Sequence, residues 1–496
     1  MVPPQNLPKR QDRAALGRTP APWGSAKAVS LMTWQVELRQ EAYWWRRQVV
    51  GVEQPVDLLG GHRSTYVNLD NAGTTPMLHS VREALRQAEE TYASPHPSAG
   101  YRARRSLELY EQARAEVLRF VGAMDGTRVA LFTKSATEAV NKLAAEFPFA
   151  PNDVVVLSEM EHHANLLPWR GRAKLVYLPV DVEGRLDVDA LPRLLERHRG
   201  HVRLVALAGA SNVTGYVSDV HLAAEIAHRY GARIFVDAAQ LAGHRTIDMG
   251  DADSPRAIDF LSLSGYKLYA PYGVGALIGP KEFFRGGAPD LKGGGAIRFV
   301  SLEDVLWNEP PAREEAGSRN VFGAVALAAA LRTMQAIGMD RVAAREEQLL
   351  AYALDRIEEV PGVEVLGSAS REERLGVVAF QIHGVPSRLV AAVLGWEWGI
   401  GAGAGCFCAS PYLMRLLGLS RQEIERLRER LLDGARDELP AAVRVSLGLY
   451  NVEQEIDRLH EAIRAIRLGE IKGRYALQPA TGEYLLDATD DIGRTL

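Results

Sequence analysis

An aspartate closing an apolar run, and a lysine thirty positions further on, are the residues of this 496-residue chain whose types and spacing point most directly to chemistry. The run is Ala232-Arg233-Ile234-Phe235-Val236-Asp237-Ala238-Ala239-Gln240, and the lysine closes the turn Ser262-Leu263-Ser264-Gly265-Tyr266-Lys267. A carboxylate at a strand end and an amine on the next βα loop are what pyridoxal phosphate needs. The amine forms the Schiff base, and the carboxylate keeps the pyridine nitrogen protonated so that the ring can accept electrons. Read singly, Lys267 would be a solvated surface group and Asp237 a helix cap. Their spacing favours the cofactor.

The elements that must position the pair follow from hydrophobic periodicity. Short β-rich runs at 128–132, 153–157, 174–178, 204–208, 233–236 and 275–278 alternate with amphipathic segments at 106–121, 137–147, 189–198 and 221–230. Strands alternating with helices predict an α/β fold with a mostly parallel sheet covered on both faces. Ligands of such sheets bind at the carboxyl ends of the strands, where Asp237, Lys267 and the Thr133–Glu138 turn all fall. After Ala316 the pattern changes: helices at 321–338 and 341–359, strand-like runs at 363–366 and 376–382, a helix at 387–394 and a Gly-rich segment at 399–405. A smaller α+β C-terminal domain is expected there. The domain reading is a flexible segment 1–30, a helical segment 31–65, a large domain 66–325, a small domain 326–470 and a surface arm 471–496.

Composition sets outer bounds. With 47% apolar and 24% charged residues the chain is globular, and its net charge of −4 gives no bulk attraction to nucleic acid or anionic lipid. No apolar stretch approaches bilayer length, and the Pro- and Arg-rich start lacks the apolar core of a secretory signal, so a cytoplasmic location is expected. The two cysteines, Cys406 and Cys408, exclude a disulfide framework. They cannot complete a zinc site by themselves, and no metal is expected. A bridge between residues this close would be strained, which leaves a reactive thiol or a pair of small core residues.

Further candidates accompany the pair. Ala136 and Thr137 open a helix after a strand, a place where N–H groups and a hydroxyl can take a phosphate, although a plain capping turn looks the same. His162 and His163 adjoin on a loop after a strand. Arg444, inside an otherwise strand-like run, needs a carboxylate partner, either a substrate's or a structural one.

The chain resembles the class V aminotransferase group of fold-type I pyridoxal enzymes, and within it the cysteine desulfurase and selenocysteine lyase branch. The resemblance runs from about residue 67 to 452, on seven motifs in order: Leu69-Asp70-Asn71-Ala72-Gly73-Thr74-Thr75, Glu161-His162-His163-Ala164-Asn165, Ser211-Asn212-Val213-Thr214-Gly215, Val236-Asp237-Ala238-Ala239-Gln240, Ser264-Gly265-Tyr266-Lys267, Glu315-Ala316-Gly317-Ser318-Arg319-Asn320 and Cys406-Phe407-Cys408-Ala409. It implies a seven-stranded, mostly parallel sheet, a homodimer, a small amino-acid substrate and a sulfur-acceptor protein. It also implies roles: phosphate binding by Thr137 and Ser264, with Tyr266 standing where the family usually has histidine; ring stacking and proton transfer by His162; ring-oxygen contacts by Asn212 and Gln240; substrate contacts by Arg444, Asn212 and His96; and sulfur acceptance by Cys408. The Gly-Cys-Phe-Cys stretch is similar to that of molybdenum-cofactor sulfurases.

Two positions depart from the family pattern. Gly403 and Pro97 stand where arginines are frequent, which removes positive charge near a carboxylate and a thiol and suggests a different or larger substrate. The expected activity is cleavage of the C–S bond of L-cysteine or a derivative through Lys267, with a Cys408 persulfide. The alternatives are a β-lyase, epimerase or aminotransferase acting on another, S-substituted amino acid without the persulfide, or a carrier that keeps the fold without efficient catalysis.

Overall fold

The computed structural model describes residues 41–95, 100–367, 373–432, 439–479 and 481–487. Seven strands form the central sheet: β1 (Arg128–Thr133), β2 (Val154–Ser158), β3 (Lys174–Leu178), β4 (Val202–Ala208), β5 (Arg233–Asp237), β6 (Phe260–Ser264) and β7 (Gly275–Pro280). Their order is β1-β7-β6-β5-β4-β2-β3. All neighbours are parallel except β7, which runs antiparallel to both β1 and β6. The Val-, Leu- and Ile-rich strands are buried on both faces, as a sheet covered on both sides requires. The fold is the expected α/β architecture.

Two features of the sheet differ from the sequence reading. The segment 260–264, read as part of a turn, is a fully buried strand. Lys267 accordingly lies on a ββ connection, not a βα loop: the chain turns back through 265–274 into antiparallel β7, too short a path for the crossover that a parallel partner needs. Gly265 and Gly275 permit this closeness, since a Cβ at either would meet neighbouring backbone within 2.9 Å.

The helices include α1 (His79–Thr91), α2 (Tyr101–Phe120), α3 (Ala136–Glu146), α4 (Val220–Arg229), α5 (Val321–Ile337), α6 (Met339–Glu358), α7 (Ser387–Trp398), α8 (Ser410–Leu416) and α9 (Arg421–Leu432). Asn320 caps α5, its side chain accepting from Gly323 N–H at 2.8 Å. α5 is apolar on nearly every face and buried, with Val321, Ala324, Val325 and Ala328 packed on Ala88, Tyr110 and Ala113 of α1 and α2. Among the described residues no single helix is long and apolar enough to cross a membrane. The pair α5–α6 passes by composition only as a broken unit bent by 76°.

A second sheet, β8 (Val363–Val365), β9 (Val377–Ile382), β10 (Gly403–Gly405) and β11 (Ala442–Ser446), is antiparallel in the order β8-β9-β11-β10. It packs with α6, α7 and the helix Glu453–Arg467 around a separate apolar core that includes Leu350, Phe380, Val390 and Ile463.

Of the 31–65 stretch, residues 41–46 are helical, whereas Pro55–Asp57 and Arg63–Thr65 pair as a hairpin. Gly60 and Gly61, both at positive φ (81° and 76°), make its turn. In the 471–496 stretch, Tyr475–Gln478 pairs with Glu483–Leu486. This hairpin is tied to α7 by the N–H groups of Lys472 and Gly473, which donate to Glu397. His96 and Pro97, the 1–30 segment and the end of the charged 421–438 stretch lie outside the described residues.

Candidate active site

The carboxyl ends of β4, β5 and β6 converge with the start of α3 on one pocket. Asp237, Gln240, Lys267, His162 and Asn212 line it, together with Ala136, Thr137, Ser264 and Tyr266. Nine candidate residues from five stretches of sequence thus meet in one place. A separate, larger pocket is lined by Glu161, Pro411, Arg415 and Ile424 and holds neither Lys267 nor Asp237. The chemistry belongs to the smaller one.

Lys267 projects from the short turn Gly265–Lys267, and its Nζ donates to Gln240 Oε1 at 3.3 Å. Burial pushes its ammonium down to about 8, against the opposing attraction of Asp237. Such an amine has a far larger neutral, nucleophilic fraction near neutral pH than an ordinary lysine. Asp237 is the last residue of β5 and is buried; its Oδ1 accepts from Ala239 N–H at 3.0 Å and Ser262 Oγ at 3.3 Å. Burial raises its carboxyl, while these bonds and Lys267 pull it back.

At the start of α3, the Ala136 N–H donates to Ser264 Oγ at 2.9 Å, so the β6 hydroxyl and the helix terminus are joined beside Thr137. Lys142 anchors the other end of α3, its ammonium reaching Glu146 at 3.2 Å, Glu314 at 2.9 Å and also Asp290. A buried amine, a buried carboxylate and a helix N-terminus with hydroxyls around one cavity are the donor set that suits pyridoxal phosphate. The residues present fit that group.

The loop after β2 supplies His162. Its Nδ1 accepts from Ala164 N–H at 3.0 Å, and burial, reinforced by Lys267, His163 and Arg444, lowers it to about 4. The ring is therefore neutral at physiological pH. Glu161 anchors this loop: its carboxylate accepts from Ser158 Oγ, from Asn165 Nδ2 at 2.7 Å and from Ala208 N–H at 2.9 Å. Burial still raises it to about 7. His163, which carries no role in the sequence reading, grips the cysteine loop. Its N–H donates to Cys408 O at 2.6 Å and its Nε2 accepts from Ser410 N–H at 3.1 Å.

Cys408 is exposed and Cys406 half-buried, so the alternative of two buried core cysteines does not hold. Phe407 and Cys408 both take left-handed backbone angles, φ 53° and 54°, which side-chain-bearing residues adopt only when their surroundings hold them there. Asn212 Nδ2 donates to Phe407 O at 2.7 Å. Arg444, on β11, is 5% exposed; its Nη1 donates to Asn212 O at 3.1 Å and its Nη2 to Asp70 Oδ1 at 2.7 Å. Its guanidinium carbon lies 4.6 Å from the centre of the Phe407 ring.

This fold and site define a class. The model of the family described as aminotransferase class-V matches residues 67–459, and the chain belongs to that family. It is 34% identical over 410 residues to the cysteine desulfurase of Haloferax volcanii, covering 81% of this chain and 89% of that protein. It is 35% identical to the cysteine desulfurase of Dickeya dadantii, covering 76% and 87%. A probable cysteine desulfurase of Mycolicibacterium paratuberculosis is 36% identical over 81% of this chain, and this chain spans 55% of that protein's length. Among solved structures, the cysteine desulfurase CsdA of Escherichia coli superposes with a TM-score of 0.72 at 29% identity, covering 87% of this chain and 99% of the other.

Proposed function

We propose that this protein is a pyridoxal-phosphate-dependent cysteine desulfurase, converting L-cysteine to L-alanine with transfer of sulfur to Cys408. The observation that carries the reading is the convergence of Lys267, Asp237 and the α3 N-terminus on one cavity, taken with relatives that bear the name cysteine desulfurase. Bound there, the cofactor supplies an aldehyde carbon for the Lys267 amine and a pyridinium ring that withdraws electrons from the substrate's Cα.

The remaining chemistry falls to the chain's own residues. Ala136, Thr137, Ser264 and Tyr266 would hold the phosphate, Gln240 and Asn212 would serve the ring oxygen, and neutral His162 would offer a flat ring for stacking. Asp237 keeps a proton on the ring nitrogen. Arg444 and His96 would orient the substrate carboxylate, and Lys267 Nζ would take the Cα proton. The Cys408 thiolate then attacks the substrate sulfur. The Cβ–S bond breaks, an S–S bond forms on Cys408 and alanine leaves, so that cysteine plus thiol becomes alanine plus persulfide in balance.

The accompanying proposals are a cytoplasmic homodimer, a sulfur-acceptor protein as partner, and a division between large and small domains near residue 325, within α5. The function is tested by following the cofactor absorbance of the holoenzyme during titration with L-cysteine while alanine and sulfide are assayed. A shifted band with alanine supports the reading; a shifted band with pyruvate instead sinks it in favour of a β-lyase.

A further inference from the structure

The arginine proposed to receive the substrate carboxylate already has a carboxylate. Asp70 Oδ1 accepts from Arg444 Nη2 at 2.7 Å, and Arg444 is buried while the Asp70 side chain is 36% exposed. The same guanidinium leaves its Nε without a hydrogen-bond acceptor and gives Nη1 to the Asn212 carbonyl. A carboxylate seeking a two-point grip on Arg444 must therefore dislodge Asp70 or settle for a poorer one.

Asp70 is fitted into this place. It pairs with Ser446 at the end of β11, and its carbonyl accepts from the N–H groups of Gly73 and Thr74 at 3.1 and 3.2 Å, which fixes its backbone. Two glycines clear room for the carboxylate. A Cβ at Gly73 would lie 2.8 Å from Asp70 Oδ2, and one at Gly403 would lie 3.1 Å from Asp70 Oδ1. Gly403 is paired with Arg444 across β10 and β11, so the glycine where a second cation would be familiar is also the residue that lets Asp70 reach the arginine. The carboxylate also acts electrostatically on Lys267, which puts its field inside the cavity.

We propose that Asp70 is a specificity-determining residue: it occupies Arg444 as an internal competitor and weakens the site's grip on the carboxylate of an amino-acid substrate. The consequence is a site that discriminates little between L-cysteine and a derivative whose carboxyl is esterified. This inference rests on the reading that Arg444 receives the substrate carboxylate, and the experiment separates the two.

The probe is 3-mercaptopropionate, which has the thiol and carboxylate of cysteine but no amine. Its Kd for the holoenzyme is measured by calorimetry in the native protein, Asp70→Asn and Arg444→Ala, beside the kcat/KM values for L-cysteine and L-cysteine methyl ester. Asp70→Asn is nearly isosteric and keeps an acceptor for Arg444. It is expected to tighten 3-mercaptopropionate about tenfold and to raise the cysteine-to-ester kcat/KM ratio by a similar factor, since a charge-assisted bond is exchanged for a neutral one. Arg444→Ala weakens the probe. If Arg444→Ala leaves the Kd unchanged, the assignment of Arg444 fails and the inference falls with it. If Arg444→Ala weakens binding but Asp70→Asn leaves it unchanged or weaker, Asp70 is a structural ion pair and the inference alone is overturned. Should Asp70→Asn fail to fold, Asp70→Ser, which removes the carboxylate while keeping a small polar side chain, takes its place, and the absence of tightening there overturns the inference equally.

Discussion

The backbone N–H of His163 donates to the carbonyl of Cys408 at 2.6 Å, and the ring of the same residue accepts from the N–H of Ser410 at 3.1 Å. The loop proposed to take sulfur is thereby bolted to the loop that carries His162.

That bolt holds a strained segment. Two consecutive left-handed residues, Phe407 and Cys408, each cost about 1–3 kcal/mol when unsupported. His163→Ala keeps the backbone bond and removes the ring acceptor. We expect alanine formation to fall about tenfold, of the order of one lost hydrogen bond, while the cofactor band stays in place. Hydrogen exchange should quicken across 407–410. Unchanged exchange there would mean that the ring does not hold the loop.

Lys267 is distinguishable from the other lysines by its buried amine, lowered to about 8 from an ordinary 10.5. In cofactor-free protein an amine-directed reagent should label Lys267 ahead of the exposed lysines, with a reactivity midpoint near pH 8. Peptide mapping across a pH series reads this directly. A midpoint with the bulk lysines would contradict the burial argument.

His162 makes stability depend on pH. Its folded value, about 4, lies below the unfolded 6.5 because burial disfavours the cation. Between these values the unfolded chain binds a proton that the folded chain does not. Stability is then full above pH 6.5 and declines as pH falls toward 4. The urea midpoint should drop over that window, and less steeply in His162→Gln. Equal slopes in the two proteins would remove His162 as the cause.

Much of this site was legible because it is built from residues that must sit at strand ends. Asp237 follows a run of buried apolar residues, and Ala136-Thr137 follows β1, so their placement came with the sheet. The β6 strand was hidden because Phe-Leu-Ser-Leu-Ser alternates like a half-exposed segment, whereas Ser262 is buried where its hydroxyl donates to Asp237. The roles of His163, Glu161 and Asp70 depend on partners far away in sequence. Ser410 lies 247 residues from His163, Ala208 lies 47 from Glu161 and Arg444 lies 374 from Asp70. No periodicity reports such pairings. The terminal hairpin was missed for a related reason: its apolar residues are sparse, and only Tyr475 among its described residues reaches the edge of the smaller core.

The most direct test of the central claim compares the native protein with Cys408→Ser, both loaded with cofactor, incubated with L-cysteine and examined by intact mass and alanine assay. The account predicts alanine in both time course and yield only for the native protein, with the mass of one added sulfur on Cys408, and a cofactor band that still responds to L-cysteine in Cys408→Ser. Undiminished alanine or pyruvate formation by Cys408→Ser would contradict it and assign the cavity to a lyase or transaminase that does not use the thiol.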